Sequence, residues 1–464
     1  LKDIDTMHIL RMTGDQRRSI MDHLFDGSGL EAVSVALLGR AAHEGRTALT
    51  VHCIRHVPHS VCDRRRNGIV WPTSFLKSLL AEAAAGGMGV MRVHSHPGGF
   101  DRFSEVDDAS DAELFDAIDL RAPGLHASVV MLPDGSMFGR RLEAGQVLGP
   151  LDRIAVVDDD LAFHDRPAAR AARDFDLRHR QLFGNGTTDL LARLSVGVVG
   201  ASGTGSPVIE MLARLGVGRI VIVDPDFAEH KNLNRIWGST RADADARTPK
   251  AIMMRDHLAR IGLGTMVEAH IARVEEPTAM AALATCDLLF GCVDSIEGRD
   301  VLNRIATFHT LPFLDLGVRL DADGAGGVAS VSAGVRWLTP GRSSLRTRGV
   351  YDERDLYAER LHRTDPARYA DQLARGYVKG VAVDRPAVIS INTATAAAAV
   401  NEMLARLHPF RSVDSAGYAT TKLLFTHGRI KGMPEGPVDE ELVRHVGRGD
   451  ANPPLLSALA EVAR

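Results

Sequence analysis

Along residues 1–142, short β-branched runs alternate with segments whose apolar positions recur at helical spacing, and this mixture predicts an α+β domain. Strands are expected over 33–38, 47–52 and 128–132, the last leading into Pro133-Asp134-Gly135, which reads as a hairpin turn. Pro72-Thr73-Ser74 opens a helix that Gly86-Gly87 ends, with Phe75, Leu76, Leu79 and Leu80 on one face. From 143 to 172 Gly, Pro, Asp, Arg and Ala carry no sustained apolar period, the pattern of a solvated linker. Beyond it the period changes again: an apolar run at 196–199, a glycine-rich turn at 200–205, a helix to about 215, and a strand 219–223 ending at Asp224. That is a βαβ unit of a doubly wound sheet. A helix from 249, a buried strand 287–290, a helix 299–308, a strand 313–316 and an Ala-rich helix over 392–407 continue it. Residues 340–385, mixed in charge and bearing Tyr351, Tyr357, Tyr369 and Tyr377, read either as a crossover segment for partner contact or as plain helical surface.

At 464 residues the chain exceeds one domain of roughly 150 residues, so the division is 1–142, a linker 143–172, and 173–464. Lys+Arg of 55 against Asp+Glu of 59, with no concentrated basic stripe, argues against a nucleic-acid partner. No apolar run approaches the roughly 20 residues that span a bilayer, so no membrane partner is expected. The chain starts at Leu1, so its start is expected to be trimmed, and neither signal peptide nor anchor is read. Cys53, Cys62, Cys286 and Cys292 form neither a disulfide framework nor a CxxC pair, which points to a reducing, cytoplasmic setting.

The first chemical constellation is Val93-His94-Ser95-His96-Pro97 followed by Ser104-Glu105-Val106-Asp107. Strand alternation puts His94 and His96 on one face, and Asp107 in the first turn of the next helix can add a carboxylate. Three such ligands leave a zinc ion an open position for water. Ser104 can donate to an oxyanion, and Glu31, ahead of the strand 33–38, can take the proton. These five positions, His94, His96, Pro97, Ser104 and Asp107, resemble the JAMM signature of JAB/MPN metalloproteases, over roughly residues 8–142. The resemblance implies a cytidine-deaminase-like α+β fold, zinc on His94, His96 and Asp107, an oxyanion serine at Ser104 and an upstream acid at Glu31, with Glu44 as the alternative. It also implies cleavage of isopeptide or C-terminal bonds of ubiquitin-like proteins.

The second constellation is the turn Gly200-Ala201-Ser202-Gly203-Thr204-Gly205, where backbone amides can approach phosphates, with Asp224 placed for ribose hydroxyls. Around it stand Asp226, then Asn232-Leu233-Asn234-Arg235, then Pro249-Lys250, then Cys292-Val293-Asp294. With Arg180-Gln181 and Phe183-Gly184 upstream, this run resembles ThiF/MoeB-type adenylyltransferases, strongly over 173–340 and more weakly through 392–407. The resemblance implies a Rossmann-like fold, ATP as substrate, magnesium on Asp294, phosphate charge met by Arg235 and Lys250, and Gly203 and Asn234 near the nucleotide. It further implies a homodimer in which Arg180 acts in trans.

Two family features are missing. Ser344 and Thr347 hold the spacing of a zinc-binding Cys-x-x-Cys pair, so no structural zinc is expected in this domain. No cysteine follows Asp294 to accept an acyl group, while Cys286 and Cys292 read as core. Either the acyl-adenylate passes directly to a ubiquitin-conjugating-like carrier enzyme, the favoured outcome, or a hydroxyl such as Ser344 or Thr347 takes it as an ester. A bifunctional enzyme that processes and adenylates a ubiquitin-like protein is the expectation. The resemblance extends to fusions in bacterial conjugation operons, some tied to antiphage defence. The rivals are processing and activation of a sulfur-carrier-like protein, and a catalytically dead scaffold.

Overall fold

The computed structural model describes residues 6–166, 173–381 and 386–449. Among these, 6–166, 307–310 and 444–449 form one unit, and 173–306, 311–381 and 386–443 a second.

The first unit runs β1 (Met7–Thr13), α1 (Gly14–Leu24), β2 (Val33–His43), β3 (Arg46–His56), β4 (Asp63–Arg65), β5 (Gly68–Val70), α2 (Lys77–Gly86), β6 (Gly89–Ser95), α3 (Glu105–Asp119), β7 (His126–Met131), β8 (Met137–Glu143), β9 (Gln146–Pro150), β10 (Arg153–Val157) and β11 (Leu161–Asp165). Nine strands make one sheet in the order β11-β10-β1-β3-β2-β6-β7-β8-β9, while β4 and β5 form a separate ribbon. Ile20 and Leu24 of α1 pack with Met91 and Val93 of β6 on one face. Leu79 and Ala83 of α2 and Phe115 and Ile118 of α3 pack with Val35, Leu37 and Val90 on the other. With both faces covered, β2 is apolar at successive positions instead of alternating. The expected helix after Pro72 begins as a 3-10 turn, Thr73–Leu76, and ends at Gly87 in the left-handed conformation (φ 63°).

The stretch expected as a linker, 143–172, is instead sheet through Asp165: β9, β10 and β11 close its two edges. Its strands are five residues each, β9 is almost wholly exposed, and the buried β10 includes Arg153, paired with Asp165 at 2.6 Å, so no apolar period shows. Residues 167–172 lie outside the described residues.

The second unit runs α4 (Leu177–Leu191, broken at Gly184), β12 (Ser195–Val199), α5 (Gly205–Arg214), β13 (Arg219–Val223), α6 (Arg241–Asp245), α7 (Lys250–Ile261), β14 (Met266–His270), α8 (Pro277–Ala284), β15 (Leu288–Gly291), α9 (Ile296–Phe308), β16 (Phe313–Ala322), β17 (Val328–Leu338), α10 (Glu353–Thr364), α11 (Pro366–Ala374), α12 (Ile389–Leu407), β18 (Thr420–Leu424) and β19 (Arg429–Met433). Its sheet has the order β14-β13-β12-β15-β16-β17-β18-β19. Pairing is parallel from β14 to β16 and antiparallel from β16 to β19. Strand order reverses between β12 and β15, which opens a crevice at their carboxyl ends. Much of 340–385 is helical: α10 and α11 share a small core of Ala358, Leu361 and Tyr369, with Tyr357 and Tyr377 exposed; 382–385 lie outside the described residues. Among the described residues no helix is long and apolar enough to cross a membrane.

Candidate functional site

Strand β6 lends its odd positions, Met91 and Val93, to the α1 face, so Val90, Arg92 and His94 point to the α2/α3 face. Helix α3 presents Asp107, Asp111, Phe115 and Ile118 as its buried stripe. A strand repeat of about 6.7 Å for two residues matches a helix repeat of about 6 Å for four. Arg92 therefore meets Asp111 and His94 meets Asp107. The Nε2 of His94 lies 2.9 Å from Asp107 Oδ1 and 3.2 Å from His96 Nε2, and His96 Nε2 lies 3.4 Å from Asp107 Oδ2. His94, His96 and Asp107 are all buried, with their ligand atoms clustered around one point.

This donor set fits zinc. Ligands about 2.05 Å from a tetrahedral zinc stand about 3.3 Å from one another. His96 Nδ1 is 2.7 Å from the Phe100 carbonyl, which only accepts, so Nδ1 carries a hydrogen and Nε2 is the ring nitrogen turned to the cluster; against burial, the bonds to Asp107 and the Phe100 carbonyl raise the ring's pKa. Burial, helped by the Arg92 charge, lowers His94 to about 4 and keeps it neutral. Burial alone would raise Asp107, yet the hydrogen bonds to His94 and His96 hold it well below the usual carboxylate range.

Glu31 precedes β2, whose register pairs Val33 with His94; continued by two residues, it sets Glu31 across from His96. The carboxyl is buried and raised to about 7 by desolvation, opposed by His96, reinforced by Asp107 and opposed again by Arg92. Glu44 sits in the exposed β2–β3 hairpin turn with φ 43°, at the end of β2 remote from His94. Ser104 is the N-cap of α3: its Oγ donates to Asp107 Oδ2 at 2.7 Å and accepts from Asp107 N at 3.2 Å.

Sequence reasoning missed Arg92, Asp111 and Arg140. Arg92 Nη2 lies 3.3 Å from His94 Nδ1, 3.4 Å from Asp107 Oδ1 and 3.2 Å from Asp111 Oδ1. Arg140 of β8 donates to Asp111 Oδ2 at 2.7 Å and to the Asp107 carbonyl at 3.1 Å, and pairs with Asp108. The four-residue spacing of Asp107 and Asp111 was the available signal.

In the second unit the glycine turn leaves β12 at the crevice and leads into α5. Gly200 has φ 93°, and a Cβ on Gly205 would lie 1.7 Å from the Gly200 carbonyl oxygen, so the turn requires glycine at both. Helix α5 begins after Thr204 without a side-chain cap; Ser206 N instead donates to the Ser202 carbonyl at 2.9 Å, Val208 N to the Thr204 carbonyl at 3.5 Å, and Pro207 has no N–H, so the backbone of the glycine turn itself closes this helix end. Asp224, buried at the end of β13, accepts from Ala201 N at 2.6 Å and Asp226 N at 2.8 Å, and burial raises its pKa. Lys250 Nζ pairs with Asp226 Oδ2 at 2.8 Å. A Cβ on Gly203 would lie 2.3 Å from Asn392 Nδ2 and 3.3 Å from Arg235 Cδ, so Asn392 of α12 joins the site, a residue the motif reading placed only within a weakly similar helix. Arg235 Nη1 donates to the Lys231 carbonyl at 2.7 Å and to Asn234 Oδ1 at 3.1 Å. Asn232 is buried and accepts from Glu229 N at 3.0 Å. Asp294 is exposed just beyond β15, on the crevice side.

Arg180 stands in α4, engaged with Asp176 at 2.9 Å, Asn185 at 3.0 Å and Asp189 at 2.8 Å of its own segment. Ser344 and Thr347 bond each other reciprocally, Ser344 N to Thr347 Oγ1 at 2.9 Å and Thr347 N to Ser344 Oγ at 3.1 Å. The buried Ser344 hydroxyl donates to Asp439 Oδ2 at 2.6 Å, and Arg346 also holds Asp439. Cys286 and Cys292 are buried, and burial pushes the Cys292 thiol far up, against reaction as a thiolate.

Residues 15–143 match the family model for prokaryotic homologs of the JAB domain, and residues 176–405 that of the ThiF family. The SAMP-activating enzyme E1 of Haloferax volcanii is 34% identical over 117 residues, covering 25% of this chain and 43% of that one. The sulfur carrier protein adenylyltransferase of Thermus thermophilus is 32% identical over 145 residues, covering 30% of this chain and 53% of that one. The E. coli MccB structure with ATP aligns at 16% identity and a TM-score of 0.44, over 58% of this chain and 74% of that one. The chain thus spans about half the length, or less, of these two curated relatives.

Proposed function

We propose, from the premise that this chain fuses a prokaryotic JAB-type domain (15–143) to a ThiF-family domain (176–405), that it is a bifunctional enzyme: a zinc-dependent peptidase or isopeptidase for a ubiquitin-like protein and an ATP-dependent adenylyltransferase for that protein's C-terminus. The observation that carries the hydrolytic half is the convergence of His94, His96 and Asp107 on one point beside a buried Glu31. His94 Nε2, His96 Nε2 and an Asp107 oxygen hold zinc, which when bound supplies Lewis acidity for hydrolysis. Glu31, raised towards neutrality, takes the proton of the attacking water and returns it to the leaving amine. The Ser104 hydroxyl turns from Asp107 to donate to the developing oxyanion.

The adenylating half rests on the ThiF match and on the glycine turn at the crevice. The glycine turn ahead of α5 receives phosphate oxygens, Arg235 and Lys250 offset the charge that builds at the α-phosphate as a carboxylate attacks it, and Asp294 supplies an oxygen to magnesium. Arg180 serves a second copy in a homodimer once it leaves Asp176 and Asp189. The buried, bonded Ser344 hydroxyl is a poor acyl acceptor, which supports hand-off to a carrier enzyme. A bacterial modification system, antiphage or otherwise, is the setting; the Thermus thermophilus relative's name favours a second reading in which the substrate is a sulfur carrier.

The hydrolytic half is tested with the ubiquitin-like protein encoded nearest this chain, extended by a short C-terminal peptide. Cleavage that stops on chelation and returns with zinc is expected. Cleavage indifferent to chelation overturns it.

A further inference from the structure

We infer that Arg64, through the β4–β5 ribbon, is the positioning residue that sets Glu31 against the His94–His96–Asp107 cluster; the inference rests on the hydrolytic reading above. Glu31 lies in the connection between α1 and β2, where residues 25–32 form neither helix nor strand. Its place is fixed from two sides. On the β6 side, Ala32 N donates to Ser95 Oγ at 3.0 Å and Ser95 N donates to the Ala32 carbonyl at 3.1 Å. On the other side, Glu31 N donates to the Arg65 carbonyl at 2.8 Å and the Glu31 carbonyl accepts from Arg64 Nε at 2.8 Å.

The same guanidinium ties down the residues that lead to Glu31. Arg64 Nη2 donates to the Leu30 carbonyl at 3.1 Å and to Ser28 Oγ at 3.3 Å, and Nη1 donates to Asp26 Oδ2 at 2.7 Å. Asp26 also accepts from Ser28 N at 3.0 Å and meets His59 Nδ1 at 3.2 Å. One side chain, 9% exposed, thus gathers residues 26, 28, 30 and 31 from a three-residue strand outside the main sheet. A planar fork with donors on all three nitrogens can do this; a lysine ammonium, a single point, cannot reach these acceptors together. Arg64 touches neither the cluster nor the Glu31 carboxyl in these bonds; it acts through the Glu31 backbone. A shift of about 1 Å in a reacting group costs on the order of a hundredfold in rate.

The test uses the full chain with Arg64→Ala and Arg64→Lys, each alone and combined with Glu31→Gln. Cleavage of the extended ubiquitin-like protein, bound zinc, and amide hydrogen exchange over 28–32 are measured together. Both Arg64 variants are expected to lose about ten- to hundredfold in kcat with KM within about twofold, to keep their zinc, and to exchange faster over 28–32. In the Glu31→Gln background neither is expected to add a loss, because a misplaced glutamine forfeits nothing further. Unchanged kcat with unchanged exchange overturns the inference, as does a loss that multiplies with that of Glu31→Gln. If the parent chain cleaves nothing, the hydrolytic reading fails separately, and the exchange of 28–32 still decides whether Arg64 holds Glu31 in place.

Discussion

Glu31 and Glu44 show how one residue's placement decides a role. Glu31 is buried and faces His96 and Asp107; Glu44 is solvent-exposed in a hairpin turn. Glu31→Gln is expected to slow cleavage by about a hundredfold to ten-thousandfold with zinc retained, and Glu44→Gln to leave it within about twofold, both read as kcat on the extended substrate. Equal effects would remove Glu31 from the mechanism. In the second unit, a methyl at Gly205 meets backbone at 1.7 Å, which cannot swing aside as the Asn392 amide near Gly203 can. Gly205→Ala is therefore expected to lower stability by about 1–3 kcal/mol or more, and Gly203→Ala to cost less stability while weakening ATP binding, by denaturant midpoint and nucleotide titration respectively. That His94 and His96 share a face of β6 and that Ser104 and Asp107 open α3 was legible because strand alternation and a helix first turn are local rules; the roles expected of them came from the resemblance to the JAMM signature. Arg92 was not legible, because its role depends on which helix covers that face of β6, and Arg64 acts on a loop more than thirty positions earlier.

At the scale of elements, α1 and β3 meet through imidazoles. His23 of α1 stacks on His56 of β3 at 4.6 Å and lies 4.4 Å from His59, which meets Asp26. Burial, then the neighbouring His56 and His59, lowers His23 from 6.5 to about 4. A folded-state pKa below the unfolded one means that the unfolded chain binds the proton first as pH falls. The stability His23 contributes is full above pH 6.5 and is lost between about 6.5 and 4. Thermal unfolding of the first unit is expected to become easier across that window, with a shallower slope in His23→Gln; an equal slope would assign the acid sensitivity elsewhere. Strands β12, β13, β15 and β16 were legible because parallel strands buried on both faces write continuous apolar runs, whereas β14, a half-exposed edge strand, writes none and was missed. Strands β9 to β11 were not, since short edge strands with exposed or ion-paired residues carry no such run. The antiparallel β17 to β19 escaped notice for a similar reason, with exposed positions at Val328 and Ile430.

For the whole molecule, two sites in separate units predict two separable activities. His94→Ala is expected to abolish cleavage and leave ATP-pyrophosphate exchange intact, and Asp294→Ala to do the reverse. Loss of both activities from either substitution, in chains that stay folded, would contradict two independent sites. The most direct measurement is zinc content together with ATP-pyrophosphate exchange on the purified chain, with and without the ubiquitin-like protein encoded nearest to it. One zinc per chain and exchange that requires that protein are the expected results. Zinc without exchange would contradict the adenylating role and leave a protease with a docking domain.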